Sequence, residues 1–306
     1  MPTTSAIARW HVLPCAALAI AVSSCGGADA TSPTSDEPSS SSVGSILFTS
    51  SRDGNFDIYA MNDDGSGVAR LTQDVAVDQS ANWSPDRSQI AFMSRRQGSW
   101  SIFVMLSNGY GLEQLTGGGT NDGFPRWSPD GSRLLFTSFR DGDLELYVMR
   151  PDGSDPVRLT HNPGDDTGAA WAPDGSRIAY ISTRGGNPEI YLMLADGSDQ
   201  VRLTNNDLAE SGRVAWSPDG RRIAFSAYDG DNDAIYVINV DGSGFARLTL
   251  DSASDRYPIW SPDGQRIAFT SDRDGDDEIY VMNADGSGIT RLTHNPGEDI
   301  ADDWRR

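Results

Sequence analysis

The chain has 306 residues, 37% of them hydrophobic and 22% charged, with a formal net charge of −20. Every one of the 24 basic residues is arginine, which excludes Schiff-base and P-loop lysine chemistry, and the acidic balance argues against a nucleic-acid or anionic-lipid surface. Two cysteines, Cys15 and Cys25, both lie near the N-terminus, so the rest of the chain has neither a thiol nor a disulfide.

Residues 1–24 read as a signal peptide. One positive side chain, Arg9, precedes an apolar run from Val12 to Val22 that is too short to span a bilayer. The run ends in Val22-Ser23-Ser24-Cys25, which resembles a bacterial lipobox and implies lipidation at Cys25; the alternative is ordinary cleavage near Cys25 or among Ala28 to Ala30. Gly26 stands where an inner-membrane retention signal usually has Asp, which in a two-membrane host favours the outer one. Residues 25–45, rich in Ser, Thr, Pro and Gly, read as a flexible linker.

Residues 46–306 carry a repeat of roughly 44 residues. Tryptophans stand at 83, 127, 171, 216, 260 and 304; Leu-Thr pairs begin at 71, 115, 159, 203, 248 and 292. Aromatic residues keep the same step at Tyr59, Phe103, Tyr147, Tyr191, Tyr236 and Tyr280. One unit reads as a strand ending at Trp260, a Pro262-Asp263-Gly264 turn, then a second strand over Arg266–Ser271. An acidic loop, a third strand over Glu278–Met282, a second turn at Asp285–Gly288 and a fourth strand over Ile289–Thr293 complete it.

Four short antiparallel strands repeated six times predict an all-β, six-bladed propeller. Ile46 begins at a second strand and Trp304 ends a first one, so the C-terminal strand is expected to join the N-terminal three strands in one closing blade, which removes the free sheet edge.

The units Trp-Ser-Pro-Asp-Gly, Ile-Ala-Phe, Ile-Tyr-Val-Met, Asp-Gly-Ser and Arg-Leu-Thr resemble the WD40-like, or PD40, repeats of the TolB family from Ile46 to Trp304. Departures are Ala172 after Trp171, Arg87 where Gly is usual, and Gln114 in place of the Arg of Arg-Leu-Thr. TolB carries an N-terminal α/β domain, whereas a short linker precedes the repeats here, so the resemblance implies the propeller and leaves a Tol–Pal role open.

Loops joining second to third strands share one face, and that face gathers the acids: Asp53, Asp141, Asp143, Asp229, Asp231, Asp272, Asp274 and Asp276 among them. A second acidic series stands five residues before the tryptophans at Asp78, Asp122, Asp166, Asp255 and Asp299, with Ser211 in the remaining unit and Glu210 beside it. Two readings of this series stand: an Asp capping backbone amides in its own connection, or a carboxylate ring at the channel mouth that holds Ca²⁺ or a partner's cation. The Asp-Gly-Asp loops lack the full EF-hand ligand register, and no other metal or cofactor is expected.

Arg52, Arg96, Arg140, Arg184 and Arg273 end second strands, and in four of those units an acid (Asp57, Glu145, Glu189, Glu278) opens the third. The unit with Tyr228 has Ala234 instead, which reads as a lost cross-loop ion pair. No nucleophile elbow is present, and His161 and His294 stand three units apart, too far to share a site. No catalytic residue is therefore assigned.

The expected function is a monomeric, lipid-anchored envelope protein that binds a cationic protein or peptide partner through its acidic loop face, without catalysis. The membrane is touched only through the anchor, on the periplasmic or extracellular side. The alternatives are a polysaccharide lyase or hydrolase using a carboxylate pair across the channel mouth, and a Ca²⁺-dependent structural module.

Overall fold

The computed structural model describes residues 44–305; the signal peptide, Cys25 and nearly all of the linker lie outside the described residues. Within them, 24 strands form six four-stranded antiparallel sheets. The blade of Trp83 runs β4 (Asp78–Trp83), β5 (Gln89–Ser94), β6 (Ser101–Leu106) and β7 (Glu113–Gln114), paired in that order. The other first strands are β8 (Asp122–Trp127), β12 (Asp166–Trp171), β16 (Ala209–Trp216), β20 (Asp255–Trp260) and β24 (Asp299–Trp304). They touch one another around the centre and line the channel.

The ring closes as expected. β24 pairs with β1 (Ile46–Ser50) from Asp299↔Ser50 to Trp304↔Ile46, and β2 (Asp57–Met61) and β3 (Ala69–Arg70) complete that blade. Both faces of a blade are covered by neighbours, so the centres of the middle strands run apolar instead of alternating with polar residues. Leu47 and Ile58 of the closing blade, for example, share one core with Trp83, Phe92 and Phe103 of the next. The indole Nε1 groups of Trp171, Trp216 and Trp260 donate to the carbonyls of Arg126, Ala170 and Ala215 in the preceding blade at 3.1–3.3 Å, so in these three blades the tryptophan both packs and ties.

The fourth strands are shorter than expected: in the Trp260 blade the strand is Thr290–Arg291 alone. The reason is the Thr of the Leu-Thr pair. Its hydroxyl accepts the third-strand amide that another strand residue would otherwise bind, at 2.8–3.0 Å in all six blades, as in Ile279 N–H to Thr293 Oγ1. A side chain thus ends the ladder with its donor satisfied.

Every first strand also carries a register shift two to four residues before its tryptophan. Left-handed φ angles mark it at Ser80 (58°), Phe124 (55°), Gly168 (63°), Gly212 (71°) and Tyr257 (56°). Such a bulge turns the strand and re-aims the next side chains, here toward the channel. Apart from the two glycines, no residue type at these positions announces it.

Candidate functional site

The acidic series before the tryptophans does not form an accessible ring. Asp78, Asp122, Asp166, Asp255 and Asp299 are all 0% exposed. Each accepts from the arginine that ends the second strand of its own blade: Arg96 to Asp78 at 2.8 Å, Arg140 to Asp122 at 3.1 Å, Arg184 to Asp166 at 3.3 Å, Arg273 to Asp255 at 3.0 Å and Arg52 to Asp299 at 2.8 Å. The same guanidinium donates through Nε to the Ser facing the Asp across the ladder, at 2.8–2.9 Å, and lies over the blade's aromatic pair. These carboxylates therefore serve the blade, as one of the two sequence readings held, but through guanidinium and hydroxyl donors in place of backbone amides. Burial pushes the carboxyls of Asp166 and Asp255 up, with the serine and arginine donors opposing it.

The expected cross-loop pairs are also corrected. Third-strand acids pair with the arginine of Arg-Leu-Thr: Arg70 with Asp57 at 2.6 Å, Arg291 with Glu278 at 2.6 Å, and likewise Arg158 with Glu145 and Arg202 with Glu189. The second-strand arginines are already committed to the first strand. Gln114 and Ser101 replace both partners of this pair in the Trp83 blade.

The Trp216 blade departs furthest. Its first strand is eight residues long, and the register sets Glu210 opposite Ala227, where Asp255 faces Ser271 in the next blade. Counted from the tryptophan, Asp229 replaces the arginine, and Phe245 stacks on Tyr236 and packs tilted against Phe225. Glu210, 3% exposed, thus has no arginine partner among the described residues: Asn206 donates to Oε1 at 3.1 Å and Oε2 is unpartnered. Burial, then the neighbouring Glu189 charge, pushes its carboxyl up to about 7.

What faces outward is a different set of acids. Asp53, Asp141 and Asp274 on the second-to-third loops each accept from a tyrosine hydroxyl and pair with Arg70, Arg158 or Arg291. Beyond them Asp143, Asp231 and Asp276 are exposed and have no ion pair among the described residues. The described residues contain no group of three or more His, Cys, Asp or Glu side chains arranged to hold a metal ion.

At the opposite end of the channel, beside the Pro-Asp-Gly turns, lies a cavity of about 410 Å³ lined by Arg126, Arg213, Asp302 and Asp303 with a rim of Trp and Pro. Sequence reasoning missed these residues. Their only signal is position: they occur one to three places before the tryptophans, in columns that differ from unit to unit within an otherwise regular repeat.

The repeat is matched by a family of known proteins. The PD40 family, described as the TolB beta propeller domain, matches residues 33–123, 118–214 and 209–305. The chain belongs to that family. This PD40 propeller is similar to TolB of Acinetobacter baumannii, at 26% identity and a TM-score of 0.74, over 84% of this chain and 66% of that one. It thus spans just under two thirds of that TolB. A putative TolB from Agrobacterium tumefaciens matches at 24% identity and a TM-score of 0.71, over 83% of this chain and 97% of that one. Hydrazine synthase of Kuenenia stuttgartiensis shares the fold alone, at 17% identity and a TM-score of 0.70, over 85% of this chain and 47% of that one. Among curated proteins none matches.

Proposed function

We propose that this PD40 propeller is an envelope binding protein, without catalysis of its own, that docks a cationic protein or peptide on its acidic loop face. The observation that supports this reading is the set of exposed, unpaired carboxylates of Asp143, Asp231 and Asp276, carried on the same kind of loop in three blades. The buried Arg140–Asp122 and Arg273–Asp255 pairs beneath Asp143 and Asp276, and the Arg247–Asp229 pair beside Asp231, hold those loops in place, so an incoming Lys or Arg meets charge on a rigid support without dismantling an internal ion pair. Anchoring through Cys25 at the envelope, facing the periplasm or the outside, belongs to the same reading.

In-cell crosslinking with the full-length chain tests it, beside a variant carrying Asp143→Asn, Asp231→Asn and Asp276→Asn. A partner captured by the wild type in a salt-dependent way and lost by the equally stable variant supports the acidic face. Equal capture by both removes it as the docking surface.

A further inference from the structure

The channel cavity contains more positive charge than its own carboxylates compensate. Arg213 follows Gly212 in the bulge of β16 and is 6% exposed. Its Nη1 reaches Asp302 on β24 at 3.2 Å, two blades away, and its guanidinium lies 5.3 Å from the centre of the Tyr257 ring. Its Nε and Nη2 have no acceptor among the described residues. Buried guanidinium donors without acceptors are costly, and native structures rarely leave them so.

Arg126, also lining the cavity, bonds only the adjacent Pro125 carbonyl, at 3.1 Å, and makes no ion pair among the described residues. Burial and then the like charge of Arg213 pull its pKa down to about 10. The nearby acids are occupied. Asp302 accepts from Thr49 at 2.6 Å as well as from Arg213. Asp303 accepts from the Asn82 amide at 2.8 Å and the Trp83 backbone at 3.0 Å, and pairs with Arg305 at 3.3 Å.

We propose that this cavity binds a carboxylate-bearing ligand, held between the guanidinium groups of Arg126 and Arg213. A planar carboxylate is the natural acceptor for two forked donors, and the tryptophan and proline rim supplies apolar walls for the remainder of the ligand. The volume of about 410 Å³ suits a small organic acid or the end of a peptide chain. The site lies on the face opposite the acidic loops and stands or falls independently of the docking surface.

Calorimetric titration of the full-length protein at constant ionic strength tests the proposal, with glutarate as probe and glutaramide as its neutral counterpart. Glutarate is expected to bind saturably at one site, and glutaramide not at all. Arg126→Gln is the decisive variant, since Arg126 makes no ion pair among the described residues and its removal relieves repulsion on Arg213. It should melt no lower than the wild type while binding glutarate at least about tenfold more weakly, equivalent to about 1.4 kcal/mol. Arg126→Lys, which keeps the charge without the fork, should fall between the two. An acetylated trialanine with a free C-terminus that binds tighter than glutarate, and loses binding on amidation, makes a peptide end the ligand; the reverse order makes it a small acid. No saturable glutarate binding, equal binding of glutaramide, or unchanged affinity in Arg126→Gln overturns the proposal.

Discussion

Glu210→Gln should make the protein more stable at alkaline pH and leave it nearly unchanged at pH 4. In five blades the equivalent carboxylate is neutralised by an arginine, whereas Glu210 is 3% exposed, beside Glu189, with neutral donors such as Asn206 and Thr204 and no guanidinium. Its carboxyl, ordinarily near 4.5, is raised to about 7. The folded state therefore binds this proton more tightly than the unfolded chain does. Between those two values stability falls as pH rises; the contribution is fully present below the unfolded value and is lost once pH passes the folded one. At about 1.4 kcal/mol per pH unit, the interval from 4.5 to about 7 corresponds to about 3 kcal/mol. Glutamine keeps the Asn206 contact and the shape, and removes the charge. Urea unfolding of both proteins at half-unit steps from pH 4 to 8.5 should show the variant gaining about 3 kcal/mol relative to wild type across that window. Other buried carboxyls, such as Asp57 and Glu278, titrate in both proteins and cancel in the difference. A difference that stays flat with pH, or that favours the wild type at pH 8, would refute the argument that Glu210 is an uncompensated buried acid.

Asp78→Asn should cost about 2–3 kcal/mol in urea unfolding, because it deprives the partly buried Arg96 of its charged acceptor; Arg96→Gln in the same chain should cost less than the sum of the two single changes, a coupling that a double-mutant cycle measures. Trp304→Ala should cost about 3–5 kcal/mol, as for a tryptophan in a closed core; a cost below about 1 kcal/mol, as for a frayed terminus, would contradict the pairing of β24 with β1. Gly168→Ala should lower the melting temperature, since its left-handed φ of 63° is combined with a β-carbon position 2.5 Å from the Gly212 carbonyl oxygen. The Asp143→Asn, Asp231→Asn and Asp276→Asn triple variant should change stability by less than about 0.5 kcal/mol, because exposed residues without partners contribute little.

The architecture of residues 46–306 was legible in the order of the amino acids alone. Tryptophans, Leu-Thr pairs and aromatics recurring in one frame specify a blade, because each acts locally. The tryptophan packs between blades and in three of them ties to the preceding one, the Thr hydroxyl closes a ladder, and Asp with Gly makes a turn. Closure followed from the same register, because an unpaired first strand and an unpaired second strand complete each other. Which arginine meets which acid was not legible. Arg96 lies five residues before Ser101, where the third strand opens, yet it pairs with Asp78, 18 residues back, because the antiparallel register sets Asp78 opposite Ser94. Spacing along the chain does not say to which side of the sheet a side chain turns.

The same holds for Glu210: an added residue in β16 sets it in register with the aspartates of the other blades, and Asp229 stands where those blades have their arginine. The channel cavity was least visible of all. Arg126, Arg213 and Asp302 come from three different blades, and they meet because each first strand bulges toward a common axis. A repeat shows what every blade shares; the residues in which blades differ acquire a common chemistry only when the ring closes and brings them to the same place.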